Sequence, residues 1–237
     1  MPRPVGQRIE MVLGTRIPRL ACPEAVRLLR SAANTLVRGS RHVYDLAIVG
    51  GGSAGASAAT FAGRAGLQTV VLDADKGMTR RAMIYNHLGF PEGITGPDLV
   101  DRGQEQAVRA GAEWVKVDVA SVERRDDGLV LTAEDGRAFE ARNVLLTLGA
   151  NVDLARQAGL ETRPGTEPRI REIVAVDAEG KSSMPGVWAA GTAAGVSVHT
   201  IVTAGDGARV AINIISGQKG QRHVDHDVLP PRPDPAG

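Results

Sequence analysis

The stretch Val43-Tyr44-Asp45-Leu46-Ala47-Ile48-Val49-Gly50-Gly51-Gly52-Ser53-Ala54-Gly55 decides the fold. Leu46 to Val49 is an unbroken apolar run, as expected of a strand buried on both faces. The small residues after it fit a helix through Ala65 that Gly66 ends, and a second apolar run, Thr69-Val70-Val71-Leu72, stops at Asp73. Strand, tight turn, helix and strand in that order predict a parallel pair and therefore an α/β sheet.

Within this unit Gly50-x-Gly52-x-x-Gly55 stands between strand and helix, where a dinucleotide site needs it. The first glycine permits the sharp turn, the second lets the backbone approach a pyrophosphate, and the third lets the helix pack closely. Ser53 and Ala54 then open a helix whose first turn presents free N–H groups and partial positive charge. Asp73, 23 residues after Gly50, ends the second strand, where a carboxylate can accept from ribose hydroxyls. The alternative for these residues is a glycine-rich structural turn with Asp73 solvated.

Further along, Asp98 to Ala110 fits a helix with Leu99, Val100, Ala107 and Val108 inward. Short runs at Trp114 to Val119, Leu129 to Thr132, Phe139 to Ala141 and Val144 to Thr147, split by Asp126-Asp127-Gly128 and Asp135-Gly136, read as a small antiparallel meander. A strand pair, Ile170 to Val176 with Val187 to Ala190, leads to a last helix from about Val202 to Ser216. The expected organisation is an Arg-rich extension over 1–42, one domain over 43–220 and a Pro-rich tail over 221–237, whose last stretch, Leu229-Pro230-Pro231-Arg232-Pro233, is loose.

Composition narrows the function classes. The 237 residues carry a net charge of +1, but residues 1–42 hold eight Arg and two Glu, which leaves −5 for the rest. The body therefore lacks the basic surface of a nucleic-acid binder, and 3% aromatics is poor equipment for stacking on bases. A single cysteine, Cys22, excludes an intramolecular disulfide or a two-cysteine redox cycle and points to a reducing compartment. With neither an apolar run of spanning length nor a secretory apolar stretch, the expectation is a soluble, cytoplasmic protein without a membrane partner. His223-Val224-Asp225-His226-Asp227 has no closed ligand set, so no metal site is expected.

The glycine motif does not distinguish NAD from FAD. Gly186-Val187-Trp188-Ala189-Ala190-Gly191, followed by Thr203-Ala204-Gly205-Asp206-Gly207-Ala208, resembles the closing segment of the pyridine nucleotide-disulfide oxidoreductases, above all the thioredoxin reductases. Leu88-Gly89-Phe90-Pro91-Glu92-Gly93-Ile94-Thr95-Gly96 and Leu146-Thr147-Leu148-Gly149-Ala150 extend the resemblance over about Val43 to Lys219. It implies FAD, held in a Rossmann-like three-layer fold of parallel sheet, helices and small meander. It also places Asn86, Val119, Gly149, Gly191, Thr192, His199 and Thr200 around the cofactor, and implies a homodimer.

The departures are as informative. Thioredoxin reductases insert an NADPH domain between the segments like Gly149-Ala150 and Met184-Pro185-Gly186, whereas only the 35 residues from Asn151 to Pro185 fill that interval here. Independent domains usually begin at about 50 residues. The sequence contains no Cys-x-x-Cys, and Thr192 and His199 replace a family Asp and Gln. The chain thus resembles the single-domain thioredoxin reductase-like flavoproteins. An FAD-dependent oxidoreductase reduced from outside, by NAD(P)H or by a reduced protein, is one reading. A flavin- or nucleotide-binding sensor or partner subunit without turnover is the other.

Overall fold

The computed structural model describes residues 42–229, so the Arg-rich extension before His42, Cys22 within it, and the end of the Pro-rich tail lie outside the described residues. Strand β1 (Val43–Val49) is the centre of the sheet. Leu46 and Ile48 point into one apolar cluster, with helical Ala58, Ala59, Ala62, Val210 and Ile214, while Ala47 and Val49 point into a second, with Val70, Leu72, Val144 and Leu146. This two-sided burial is why the strand carries no polar alternation. Burying one such Leu or Ile side chain stabilises by about 1.5–3 kcal/mol.

Helix α1 (Ser53–Arg64) returns the chain to β2 (Thr69–Asp73), which pairs parallel with β1. A small hairpin of β3 (Met83–Ile84) and β4 (Ile94–Thr95) precedes α2 (Gly96–Arg109), whose N-terminus is capped by Thr95 Oγ1 accepting from Asp98 N. The helix begins two residues before the sequence reading places it. Val108, read as inward, is 48% exposed, because the burying face is set by Val100 and Ala107.

The meander needs correction. Glu113 to Lys116 is strand β5, which pairs parallel with β2 and extends the main sheet; only β6 (Val119–Arg125) and β7 (Gly128–Ala133) run antiparallel with the start of β8 (Ala138–Leu146). The runs at Phe139 and Val144 are one strand. Its first half pairs with β7 and its second runs parallel between β1 and β11 (Val187–Ala189). One seven-stranded sheet results, in the order β5-β2-β1-β8-β7-β6 with β11 on β8.

The expected pairing of Ile170 to Val176 with Val187 to Ala190 does not occur. After the short helix α3 (Asp153–Gln157), β10 (Glu172–Val174) pairs instead with β9 (Thr162–Pro164). The interval from Asn151 to Pro185 is thus one short helix and a two-stranded hairpin. Helix α4 (Thr200–Lys219) closes the fold against α1 and is longer at both ends than expected. Among the described residues, no helix is long and apolar enough to cross a membrane.

Candidate cofactor site

The glycine turn is shaped by contacts that leave no room for side chains. Gly50 has φ +101, and a methyl group on it would lie 2.5 Å from the Thr147 carbonyl oxygen; one on Gly55 would overlap the carbonyl of Gly50. Thr147 Oγ1 donates to the carbonyls of Val49 and Gly50, tying the turn to the end of β8. Gly52 is different: a methyl group there would meet nothing within 4 Å, so the turn faces open space at this position. Gly52 is the N-cap of α1 and supplies no side-chain cap, and the first turn contains no acidic residue. The first-turn amides therefore keep their positive field for an outside anion.

Asp73 stands beside the turn, with Oδ1 accepting from Gly51 N at 2.9 Å. The ring of Trp114, on β5, packs over Gly51 next to the same carboxylate, so that a side chain at position 51 would overlap it. Sequence reasoning missed Trp114, whose role appears only once β5 is placed beside β2. Val119 is buried at the start of β6.

The late corner returns to the first turn. Gly191 (φ +72) and Thr192 open a short 3-10 helix ending at Ala194, and a methyl group on Gly191 would sit 3.0 Å from Ala54 Cβ. Ser53 Oγ and Thr203 Oγ1 share a 2.6 Å hydrogen bond between the two helix starts. The corner is locked by Asp206, to which the sequence alone assigns no role. Its buried carboxylate accepts from Gly191 N at 2.8 Å and pairs with Arg209, which also donates to the Ala178 carbonyl. Gly207, its neighbour, is where α4 crosses the backbone of Ala54.

The remaining residues are exposed or half-buried. Asn86 is exposed in the loop between β3 and β4, and its neighbour His87 joins α4 through Nδ1 and Thr200 Oγ1 at 2.9 Å. Burial lowers the His87 pKa below the ordinary histidine value. His199 is exposed, with Nδ1 2.8 Å from Ser197 Oγ. Gly149 (φ +66) turns the chain after β8. Tyr85 and Leu88 on one segment and Val198, Ile201 and Val202 on the other are exposed apolar side chains. No group of three or more His, Cys, Asp or Glu among the described residues could hold a metal.

An α/β sheet with a glycine turn and a late strand and helix folded back onto it defines a two-segment dinucleotide-binding protein. The comparisons make this more specific. The family model for pyridine nucleotide-disulphide oxidoreductase matches residues 94–208, just under half of the chain and beyond the first glycine turn. The bifunctional thioredoxin reductase/thioredoxin of Mycobacterium leprae is 34% identical over 122 residues, covering 50% of this chain and 27% of that protein. The thioredoxin reductase of Mycolicibacterium smegmatis is 38% identical over 132 residues, 54% of this chain and 40% of its own length. A thioredoxin reductase from Gloeobacter violaceus superposes with a TM-score of 0.68 at 17% identity, covering 80% of this chain and 100% of that one. An atypical thioredoxin reductase from Desulfovibrio vulgaris Hildenborough gives 0.66 at 20% identity, covering 74% and 98%.

The chain is thioredoxin reductase-like, similar to part of the FAD-binding pyridine nucleotide-disulphide oxidoreductases, and spans well under half the length of these curated relatives. FAD is the cofactor this relationship brings. The residues fit it: the open space before Gly52 and the uncapped first turn of α1 suit a pyrophosphate.

Proposed function

We propose that this chain is an FAD-dependent oxidoreductase of the cytoplasm whose electrons come from an external donor, NAD(P)H or a reduced protein, and that it is not a conventional thioredoxin reductase. In this reading Gly50, Gly52, Ser53, Ala54 and Gly55 cradle the pyrophosphate, and Asp73 receives the ribose. Val119, Asn86, Gly149, Gly191, Thr192, His199 and Thr200 border the rest of the cofactor. The observation that carries it is the contact of the Gly191 corner with Ala54, supported by the Ser53 to Thr203 hydrogen bond. A site for the ADP half alone has no need of that second segment.

Two features support an outside donor. The interval from Asn151 to Pro185 folds as a short helix and a hairpin, with no second strand-linked glycine turn. The sequence holds one cysteine, so an internal dithiol cannot pass electrons on. The exposed apolar side chains Tyr85, Leu88, Val198, Ile201 and Val202 suit the docking of a protein donor or of a second copy in a homodimer. The visible spectrum of the purified protein tests the reading. A flavin absorbance that bleaches anaerobically with NADH, NADPH or a reduced protein is expected. Absorbance that only a chemical reductant bleaches favours the sensor, and a colourless protein that takes up no FAD contradicts both. Gly52→Val is expected to abolish flavin retention by closing the approach to the turn; normal flavin content in that variant counts against the assignment.

A further inference from the structure

A cavity of about 610 Å³ opens directly after the Gly149-Ala150 turn, between α3 and the segment leading into β10. Its charged lining is Asp153, Arg156, Arg169, Arg171 and Glu172, with Asn151 at its edge. Arg156 is already balanced, since it pairs with Asp153 and lies 3.5 Å from Glu172. Arg169 and Arg171 are not: among the described residues neither has an ion-pair or hydrogen-bond partner for its guanidinium. Three cations against two carboxylates leave one positive charge in excess, concentrated on these two exposed forks.

The wall that presents them is held in place. Ile170, between them, is buried, and its N–H donates to the Glu167 carbonyl at 3.1 Å. Gly165 N donates to the Arg171 carbonyl at 3.0 Å. Glu167 Oε2 in turn accepts from Ser197 Oγ at 3.2 Å, anchoring the loop to the segment before α4. Arg169 adopts φ +67, a left-handed backbone that costs a non-glycine residue conformational energy and is more often met where a side chain has work to do. A cavity of this volume lies in the range of small-molecule sites. Guanidinium forks lining one cavity match the oxygens of a phosphate better than they match any neutral group.

We propose that this cavity is a second binding site, for a small molecule that carries a phosphate monoester or pyrophosphate group, held by Arg169 and Arg171. The site is separate from the glycine turn and its assignment does not rest on the flavin reading. The phosphate has two sources, a phosphorylated nicotinamide nucleotide or a small phosphate metabolite, which the same measurement distinguishes.

The full chain, saturated with any FAD it takes up, is titrated calorimetrically with NADP+ and with inorganic pyrophosphate. The titrations are repeated on the Arg169→Ala/Arg171→Ala variant and on Gly52→Val. Both arginines are exposed, so the double variant is expected to unfold at the wild-type temperature, which a thermal melt checks. Saturable binding that weakens about tenfold or more in the arginine variant and persists in Gly52→Val is the expected result. Such binding by NADP+ identifies a nucleotide, and by pyrophosphate alone a small phosphate metabolite. Absence of saturation by either probe up to about 10 mM, or equal affinity in the arginine variant, overturns the proposal. Arginine-dependent binding in a protein that takes up no flavin leaves this site standing and removes only the flavin reading.

Discussion

At the scale of single residues, the corner at Gly191 depends on a carboxylate fifteen positions away. Asp206 satisfies the buried Gly191 N–H and is itself neutralised by Arg209, so the charge is paired and hydrogen-bonded despite its burial. Asp206→Ala leaves that amide without its partner and is expected to cost about 1–3 kcal/mol, read as a lower urea midpoint at unchanged slope. It should also weaken FAD retention, since the loosened corner no longer holds its place against Ala54. The glycines at 50, 52 and 55 could be read from the sequence because their constraint is local, a matter of spacing between strand and helix. Asp206 could not, because within the sequence it is only a polar residue in a helix; its partner is reached by the return of the chain. Trp114 was hidden for the same reason.

Between elements, the α1 to α4 contact rests on small residues. A methyl group on Gly207 would overlap the Ala54 carbonyl, a backbone atom that cannot swing away, whereas one on Gly205, two positions earlier on the same helix, would meet nothing within 4 Å. Gly207→Ala is therefore expected to destabilise by about 1–3 kcal/mol, and Gly205→Ala to stabilise by up to about 1 kcal/mol through helix propensity. Chemical denaturation of the two variants measures opposite signs. His87 joins the loop after β3 to the start of α4, and burial holds its pKa low. A depressed folded pKa means that the stabilisation is complete above the unfolded value of about 6.5 and is lost as pH falls through the folded pKa. NMR titration should place His87 below the free histidine value, and urea midpoints should fall on acidification less steeply in His87→Asn. Elements were legible where local periodicity sets them, as in β1, β2, α1 and α2. β8 read as two runs because polar Asn143 interrupts it; that side chain accepts from Trp188 Nε1 at 3.1 Å and so belongs inside a continuous strand. The pairing of β5 and β11 was illegible because a parallel neighbour is chosen by the crossover and not by the strand's own alternation.

Over the whole molecule, the described end of the chain is stapled onto α1 and α4. Arg64, in the last turn of α1, donates from Nε and Nη2 to the two oxygens of Asp225 and from Nη2 to Asp227, while His223 N donates to Ser216 Oγ on α4. Residues 223–227, at the start of the tail, are thus fastened to both α1 and α4, and Asp225 and Asp227 form ion pairs with Arg64. Because Arg64 lies in solvent, the staple orders the segment more than it stabilises the fold, and salt should weaken it. Arg64→Ala is expected to raise amide hydrogen exchange over residues 222–228 while leaving the thermal unfolding midpoint unchanged, and raised ionic strength should reproduce part of that effect in the wild type. Unaltered exchange in the variant would show that backbone contacts along α4 hold the segment without the ion pairs.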